Sequence, residues 1–414
     1  MNRQINILHT MGWLGFGGME GGVIKLVNGL DRKIYAPHVV AISGFDENGR
    51  KALLPDVHFK FIKKGEGRDW KIVNKLAEYF RSQKIDIVHS HNWATWLYSF
   101  LAARLARVPV FIHGEHGRDT ERPDAGKLQA MARLLLAWRA VQLTTVSDDI
   151  AELMIEKWHA NPQKIKVIHN GIDLERFCPA KSRKEAKVKI GVDENDFLFG
   201  TVIGSFRPVK DLPTMIQAFA IIRHRYENVR LAIVGGRIGT SDADEGNTKY
   251  FSELKSLINQ LDLADTVKFY GPRDAVEQYM QAFDVYVNSS LYEGMSNTLL
   301  EAMGCGTPVV ATNVGGTPGI IRSGFNGMLV PHKSPEEMAK ALMNILESSD
   351  LRKDLSKEGR HYVELFHRNE NFIHEHEKMY MRLYDKARQK GYFPLLRRRF
   401  SQPFVHEEKM NAGN

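Results

Sequence analysis

Two glutamates, Glu293 and Glu301, bracket seven residues in the run DVYVNSSLYEGMSNTLLEAMGCGTPVVAT. Ser296 between them is a favourable N-cap. A helix opening after it would leave the amides of Asn297, Thr298 and Leu299 free, where unpaired N–H groups and the helix dipole attract phosphate. Glu301, inside that helix, can accept from ribose hydroxyls as acidic residues do in other nucleotide folds. Glu293, ahead of the helix, can reach a sugar ring. In a second segment, SFRPVKD, the cations Arg207 and Lys210 follow a strand and could neutralise a diphosphate, the work of a metal elsewhere. The plain alternatives are a capped surface helix and a solvated pair at a helix start. An apolar strand running into the glutamate pair, and TPVVAT directly after it, place the first segment at a strand's carboxyl end instead.

Weaker signals surround these two. Gly15, Gly17 and Gly18, with Glu20, allow close backbone approach to a ligand. A dinucleotide fingerprint needs a third glycine where Glu20 stands, which counts against an NAD-dependent oxidoreductase. Histidines mark three strand ends: His9, the pair His89 and His91, and the pair His113 and His116. Asn170 and Gly171 read as a tight turn, since both tolerate positive φ. Asp242 and Asp244 form a D-x-D in a polar insertion, a weak candidate for metal binding.

These groups need strands to carry them. INILHT, a glycine-rich loop, a helix over 23–30 and PHVVAIS open a βα alternation that continues through a helix over 70–83, IDIVHSH, a helix from Trp93, VPVFIHGEH and LTTVS. It restarts with FLFGTVIGSF, a helix over 213–226, RLAIVGG, a helix over 251–260, TVKFYG, DVYVNSS and TPVVAT. Apolar strands alternating with helices predict two α/β, Rossmann-like doubly wound parallel sheets, covered on both faces, facing each other across a cleft. The basic, proline-containing run CPAKSRKEAKVK marks the boundary near 177–189, and one long helical stretch over 353–390 closes the chain.

The segment Glu293 to Glu301 resembles the E-x7-E motif of family 4 retaining glycosyltransferases. GFGGMEGG at 15–22, VIHNGIDLERF at 167–177, SFRPVKD at 205–211 and GGTPGII at 315–321 are similar to that family's pattern, in its order. The resemblance covers most of the chain and implies the GT-B fold. It further implies an acceptor-binding domain over 1–177, a donor-binding domain over 178–365, and a helix within 366–395 returning to the first domain ahead of a basic tail over 396–414. The implied activity is transfer of a hexosyl group from a nucleotide diphosphate-sugar to a glycan or lipid-linked acceptor, as in cell-surface polysaccharide biosynthesis, with retention and without a metal or other cofactor. Gly17, Gly18, Arg207, Lys210, Glu293, Ser296, Asn297, Thr298, Leu299 and Glu301 would hold the donor. The catalytic residues would be His116, Glu293, Arg207 and Lys210, with His113 in reserve for His116. The chain departs from the pattern at Gly319, where the family usually has Glu, which puts a sugar contact from that loop in question.

Length and composition agree with two ordinary domains: 414 residues, 43% apolar and 26% charged. A net charge of +8 favours phosphorylated small molecules or an anionic membrane, and no basic–aromatic nucleic-acid module is present. The two cysteines, Cys178 and Cys305, lack metal or disulfide spacing and read as buried thiols. No signal sequence or membrane span is expected, so the reading is a cytoplasmic protein, with the inner face of the cytoplasmic membrane as the alternative site. The apolar positions Leu128, Met131, Leu135 and Trp138, with Lys127 and Arg133 off the stripe, predict a core-facing helix, a membrane-surface helix being the alternative. The tail's Arg397, Arg398 and Arg399 could touch anionic lipid. A non-catalytic nucleotide-sugar-binding regulator is the remaining alternative, but it would need neither Arg207 nor His116.

Overall fold

The computed structural model describes residues 3–15, 17–117, 127–237 and 245–391. Seven parallel strands form the first sheet: β1 (Ile5–Leu14), β2 (Tyr35–Phe45), β3 (His58–Phe61), β4 (Ile87–His91), β5 (Val110–Glu115), β6 (Gln142–Thr145) and β7 (Ile165–Val167). They lie in the order β3-β2-β1-β4-β5-β6-β7. Six more form the second: β8 (Phe197–Ser205), β9 (Val229–Arg237), β10 (Val267–Gly271), β11 (Val285–Asn288), β12 (Val309–Thr312) and β13 (Met328–Val330), in the order β10-β9-β8-β11-β12-β13. Strands such as β4, β5 and β11 are buried throughout because helices cover both faces, which is why their sequences are apolar runs. In each sheet the order reverses beside its first strand, between β1 and β4 and between β8 and β11. Crevices for ligands open at such points.

Two passages of chain, paired in parallel at Ile172 and Arg368, tie the domains. The segment leaving the first domain meets the one returning to it: Ile172 N–H donates to His367 O at 2.8 Å, Asn369 N–H donates to Ile172 O at 3.1 Å, and His367 Nδ1 lies 3.0 Å from Asn170 O. This crossing breaks the expected single terminal helix into two, Ser349–Phe366 and Asn369–Gln389. The second packs Phe372, Met379, Tyr380 and Leu383 against Ile5, Ile7, Leu26 and Ile87, completing the first domain's core. Gly171 and Asn170 have negative φ, so the turn reading was incorrect. Glycine is required at 171 for another reason: a Cβ there would stand 2.8 Å from Asn369 Cα and 2.9 Å from Arg368 O.

The basic run read as a linker contains a helix, Arg183–Lys189, in which Lys187 is buried, 2.6 Å from Asp284 and donating to Asp196 O at 2.7 Å. Cys305 is buried as expected, whereas Cys178 is half-exposed. The helix Lys127–Arg139 turns three of its four predicted core positions outward, the Leu128 side chain lying outside the described residues. Leu136, Ala137 and Ala140 face the core, while Met131, Leu135 and Trp138 are 54%, 57% and 67% exposed. Among the described residues no helix is long and apolar enough to cross a membrane. Asp242, Asp244 and the basic tail lie outside the described residues.

Candidate active site

The carboxyl ends of β1, β4, β5, β8 and β11 converge on one cleft of about 2110 Å³ between the domains. Its walls include Gly17, Gly18 and His116 from the first domain and Arg207, Lys210, Glu293, Ser296, Asn297, Thr298 and Glu301 from the second.

On the second domain, the Lys210 ammonium lies 2.7 Å from Glu293 Oε1. Ser290 Oγ donates to the same oxygen at 2.7 Å, and Asn288 Nδ2 approaches it at 3.4 Å. Burial alone would raise the Glu293 carboxyl, but the Lys210 charge and these hydrogen bonds hold it below the ordinary glutamate value. Glu293 is therefore a carboxylate at neutral pH. The chain reaches this position through a glycine-dependent packing. Gly316 N–H donates to Glu293 O at 2.9 Å, and Gly315, at φ 52°, passes so close that a Cβ would fall 2.0 Å from that oxygen.

Asn288 Nδ2 also donates to Ser296 Oγ at 3.3 Å, linking the ion pair to the N-cap of the helix Asn297–Gly304. Ser296 Oγ accepts from Leu299 N–H at 3.4 Å. This corrects one expectation: the Leu299 amide is occupied by the cap, its side chain is wholly buried, and it is not part of the cleft wall. Asn297 and Thr298 remain at the helix opening. Tyr286 OH fixes the Thr298 hydroxyl at 2.7 Å, and Asn297 Nδ2 reaches across to Gly18 O at 3.1 Å.

Glu301 behaves oppositely to Glu293. Burial raises its carboxyl above the ordinary value, and the charges of Lys25 and Arg176 offset this only in part. Lys25, from the helix Gly18–Gly29 of the first domain, also donates to Gly171 O in the segment that leaves that domain, so its charge acts on Glu301 from across the cleft. Both Lys25 and Arg176 line the cleft and were missed in the sequence. Arg176 was quoted within VIHNGIDLERF as part of the family resemblance, but only Asn170 and Gly171 of that segment were given a role, as a turn. Asn288 was also missed, and its signal was a polar residue ending an otherwise apolar strand.

On the first domain, Gly17 caps its helix in an extended conformation and lies beneath the Glu20 side chain, whose carboxyl burial pushes above its ordinary value. His116 follows β5. Its backbone N–H contacts Asn92 Oδ1 at 3.3 Å, and Nε2 lies 2.9 Å from His91 Nδ1. His113 is excluded from the reserve role: it is wholly buried, stacked 3.8 Å from Trp96, and outside the cleft wall. Gly319 is exposed and also outside the wall, so the missing Glu leaves the cleft lining itself unchanged.

Two Rossmann-like domains with a cationic, helix-capped pocket at their facing switch points define a protein built to hold a phosphorylated nucleotide across a cleft. Residues 16–176 match the family described as Glycosyltransferase Family 4, and residues 182–362 match Glycosyl transferases group 1. The chain belongs to the family 4 glycosyltransferases and has their GT-B fold.

It is 29% identical over 298 residues to a D-inositol 3-phosphate glycosyltransferase of Streptomyces bingchenggensis, covering 68% of this chain and 63% of that one. It is 28% identical over 291 residues to the Escherichia coli UDP-Gal:alpha-D-GlcNAc-diphosphoundecaprenol alpha-1,3-galactosyltransferase, covering 69% and 72%. Among solved structures, Anabaena HepE in complex with UDP and glucose superposes with a TM-score of 0.79 at 21% identity, covering 91% of this chain and all of that one.

Proposed function

We propose that this protein transfers a hexosyl group from a nucleotide diphosphate-sugar to a glycan or lipid-linked acceptor, with retention at the sugar and without a metal. The observation that carries this reading is the convergence of the Lys210–Glu293 pair, the opening of the helix Asn297–Gly304 and Glu301 on one wall, opposite His116. As the bond from the anomeric carbon to the diphosphate breaks, its electron pair leaves with the diphosphate. Arg207, Lys210 and the amides of Asn297 and Thr298 stabilise that growing charge, commonly the largest catalytic contribution. Glu301 accepts from the ribose, Glu293 orients Lys210 and the sugar, and His116 approaches the reacting centre from the first domain. UDP and glucose in the HepE structure make uridine diphosphate-sugars the first donors to try.

The reading is tested by thermal unfolding with UDP, GDP, ADP and their sugar conjugates in EDTA, repeated on Arg207→Ala and Glu301→Ala. At about 100 times its dissociation constant a ligand stabilises by about 2.7 kcal/mol. A shift from one nucleotide class, weakened in both variants, supports the site; no shift from any of them overturns it.

A second reading concerns where the acceptor is met. Met131, Leu135 and Trp138 project from one face of the helix Lys127–Arg139, and Arg139 lies 4.9 Å from the Trp138 ring. Exposed apolar side chains beside a cation suit the boundary of an anionic bilayer. The chain then works as a peripheral protein on a lipid-linked acceptor, the kind named for the E. coli relative.

A further inference from the structure

Three histidines run in single file from the cleft into the first domain. His116 Nε2 lies 2.9 Å from His91 Nδ1, and His91 Nε2 lies 2.9 Å from His9 Nδ1. His9 and His91 are wholly buried and stacked, with ring planes 7° apart. The strand register creates the file. His9 of β1 pairs with His89 of β4, the period of two places His91 on the same face as His89, and β5 delivers His116 just beyond Gly114, which pairs with His91. Gly114 is small where it must be, since a Cβ would stand 3.0 Å from His89 Nε2 and 3.3 Å from His91 Nδ1.

One ring nitrogen from each of His9, His89 and His91 lies within 4.8 Å of the other two, a spacing that suits a metal. Their hydrogen bonds point elsewhere. His89 spends Nδ1 on Tyr380 OH at 2.9 Å and Nε2 on Thr144 Oγ1 at 3.0 Å, and both nitrogens of His91 are engaged within the file. Only His9 Nε2 is left, a buried atom that no protein group meets.

That lone atom gives the file a direction. Each neutral imidazole has one donor and one acceptor nitrogen, so the two bonds must point the same way. If they ran inward from His116, His9 would carry its proton on Nε2 as an orphaned buried donor. Such donors are rare, whereas an unpaired acceptor is more readily tolerated. We propose that the file runs outward, so that His9 and His91 are positioning residues that hold the proton of His116 on Nδ1 and present it to the cleft as a hydrogen-bond donor. Burial, with smaller effects from neighbouring histidines, lowers His9 to about 3 and His116 to about 4, so the rings are neutral at physiological pH. His116 then gives a hydrogen bond to a substrate oxygen instead of accepting a proton from it. This role in the cleft rests on the transferase reading; the tautomer itself does not.

The test needs no substrate. Long-range proton–nitrogen correlation on the full chain labelled with 15N-histidine separates protonated from bare ring nitrogens. His116 resonances are assigned by their loss in His116→Gln. The expected result is a protonated Nδ1 and a bare Nε2 on His116, with that preference lost in a folded His91→Leu protein. A wild-type His116 protonated on Nε2 overturns the proposal, as does a folded His91→Leu protein that keeps the Nδ1 proton. Should His91→Leu fail to fold, the wild-type spectrum still decides the direction. A protein with the expected tautomer that binds no nucleotide would refute the transferase reading and leave the file intact.

Discussion

Lys210 Nζ rests 2.7 Å from Glu293 Oε1, joining the loop after β8 to the loop after β11 at the floor of the cleft. The same loops are tied by Leu291 N–H donating to Val209 O at 2.8 Å and Ser289 Oγ donating to Lys210 O at 2.8 Å. The ion pair fixes where the cation stands before a diphosphate arrives, and preorganised charge of this kind does not reorganise as the reaction proceeds.

Lys210→Met is therefore expected to lower turnover about 100-fold or more, the usual scale for losing one stabilising group at developing charge. It also strands a buried carboxylate, at a cost of about 1–3 kcal/mol. The native Glu293 carboxyl lies below its ordinary value, so its contribution to stability is complete above the unfolded glutamate pKa and is lost as pH falls through the native one. Acid unfolding curves of wild type and Glu293→Gln check the sign: the difference between them should shrink below about pH 4. A gap unchanged down to strongly acidic pH would contradict it.

Glu301 predicts the reverse trade. Its carboxyl is raised, so the native state favours the protonated form, and stability declines as pH rises from the unfolded value through the native one. At neutral pH Glu301→Gln should stabilise the unliganded protein by up to about 1 kcal/mol while weakening nucleotide binding, as happens where a site is kept at the expense of stability. Calorimetric melting and nucleotide titration of the same variant measure both. Loss of stability with unchanged nucleotide affinity would show Glu301 to be structural.

The glutamate motif was legible because its logic is local. A strand end, a Ser N-cap and a helix opening are neighbours in sequence; what the structure adds is the Leu299 amide consumed by the cap, the Asn288 bridge, and the Lys25 and Arg176 charges near Glu301, the last two brought from distant segments. The histidines were visible as strand ends, but their file depends on register between β1, β4 and β5, which no one strand encodes. The helix Lys127–Arg139 was misoriented because Leu134, Leu135 and Leu136 are consecutive and offer an apolar face in several directions. The packing partner chose Leu136, Ala137 and Ala140. At Gly171 the requirement comes from Asn369, nearly two hundred residues away in sequence, so local turn preference gave the wrong reason.

Gly294 carries a prediction about closure. A Cβ there would stand 2.4 Å from the His116 carbonyl oxygen, a backbone atom of the opposite domain. Gly294→Ala should keep the domains from meeting and displace His116 from the donor wall, and a misplacement of about 1 Å can cost about 100-fold in rate. Nucleotide binding, which depends on the second domain, should persist. Small-angle scattering with and without nucleotide, alongside turnover, tests this. Full activity would mean that the contact is not needed in the reacting state.

Trp138 and Leu135 test the lipid reading, because they are exposed and far from the proposed chemistry in role: neither lines the cleft. Burying such a side chain contributes about 1.5–3 kcal/mol, so transfer into a bilayer boundary should make each worth about tenfold or more in vesicle affinity. Co-sedimentation with phosphatidylglycerol vesicles should fall in Leu135→Glu and fall further in Leu135→Glu/Trp138→Glu, with donor hydrolysis in the absence of vesicles unchanged. Phosphatidylcholine vesicles should bind the wild type less well, since Arg139 then meets no anionic surface. A wild type that ignores both vesicles, or a double variant that binds as the wild type does, would leave this face to some other partner and remove the reason for placing the acceptor at a membrane.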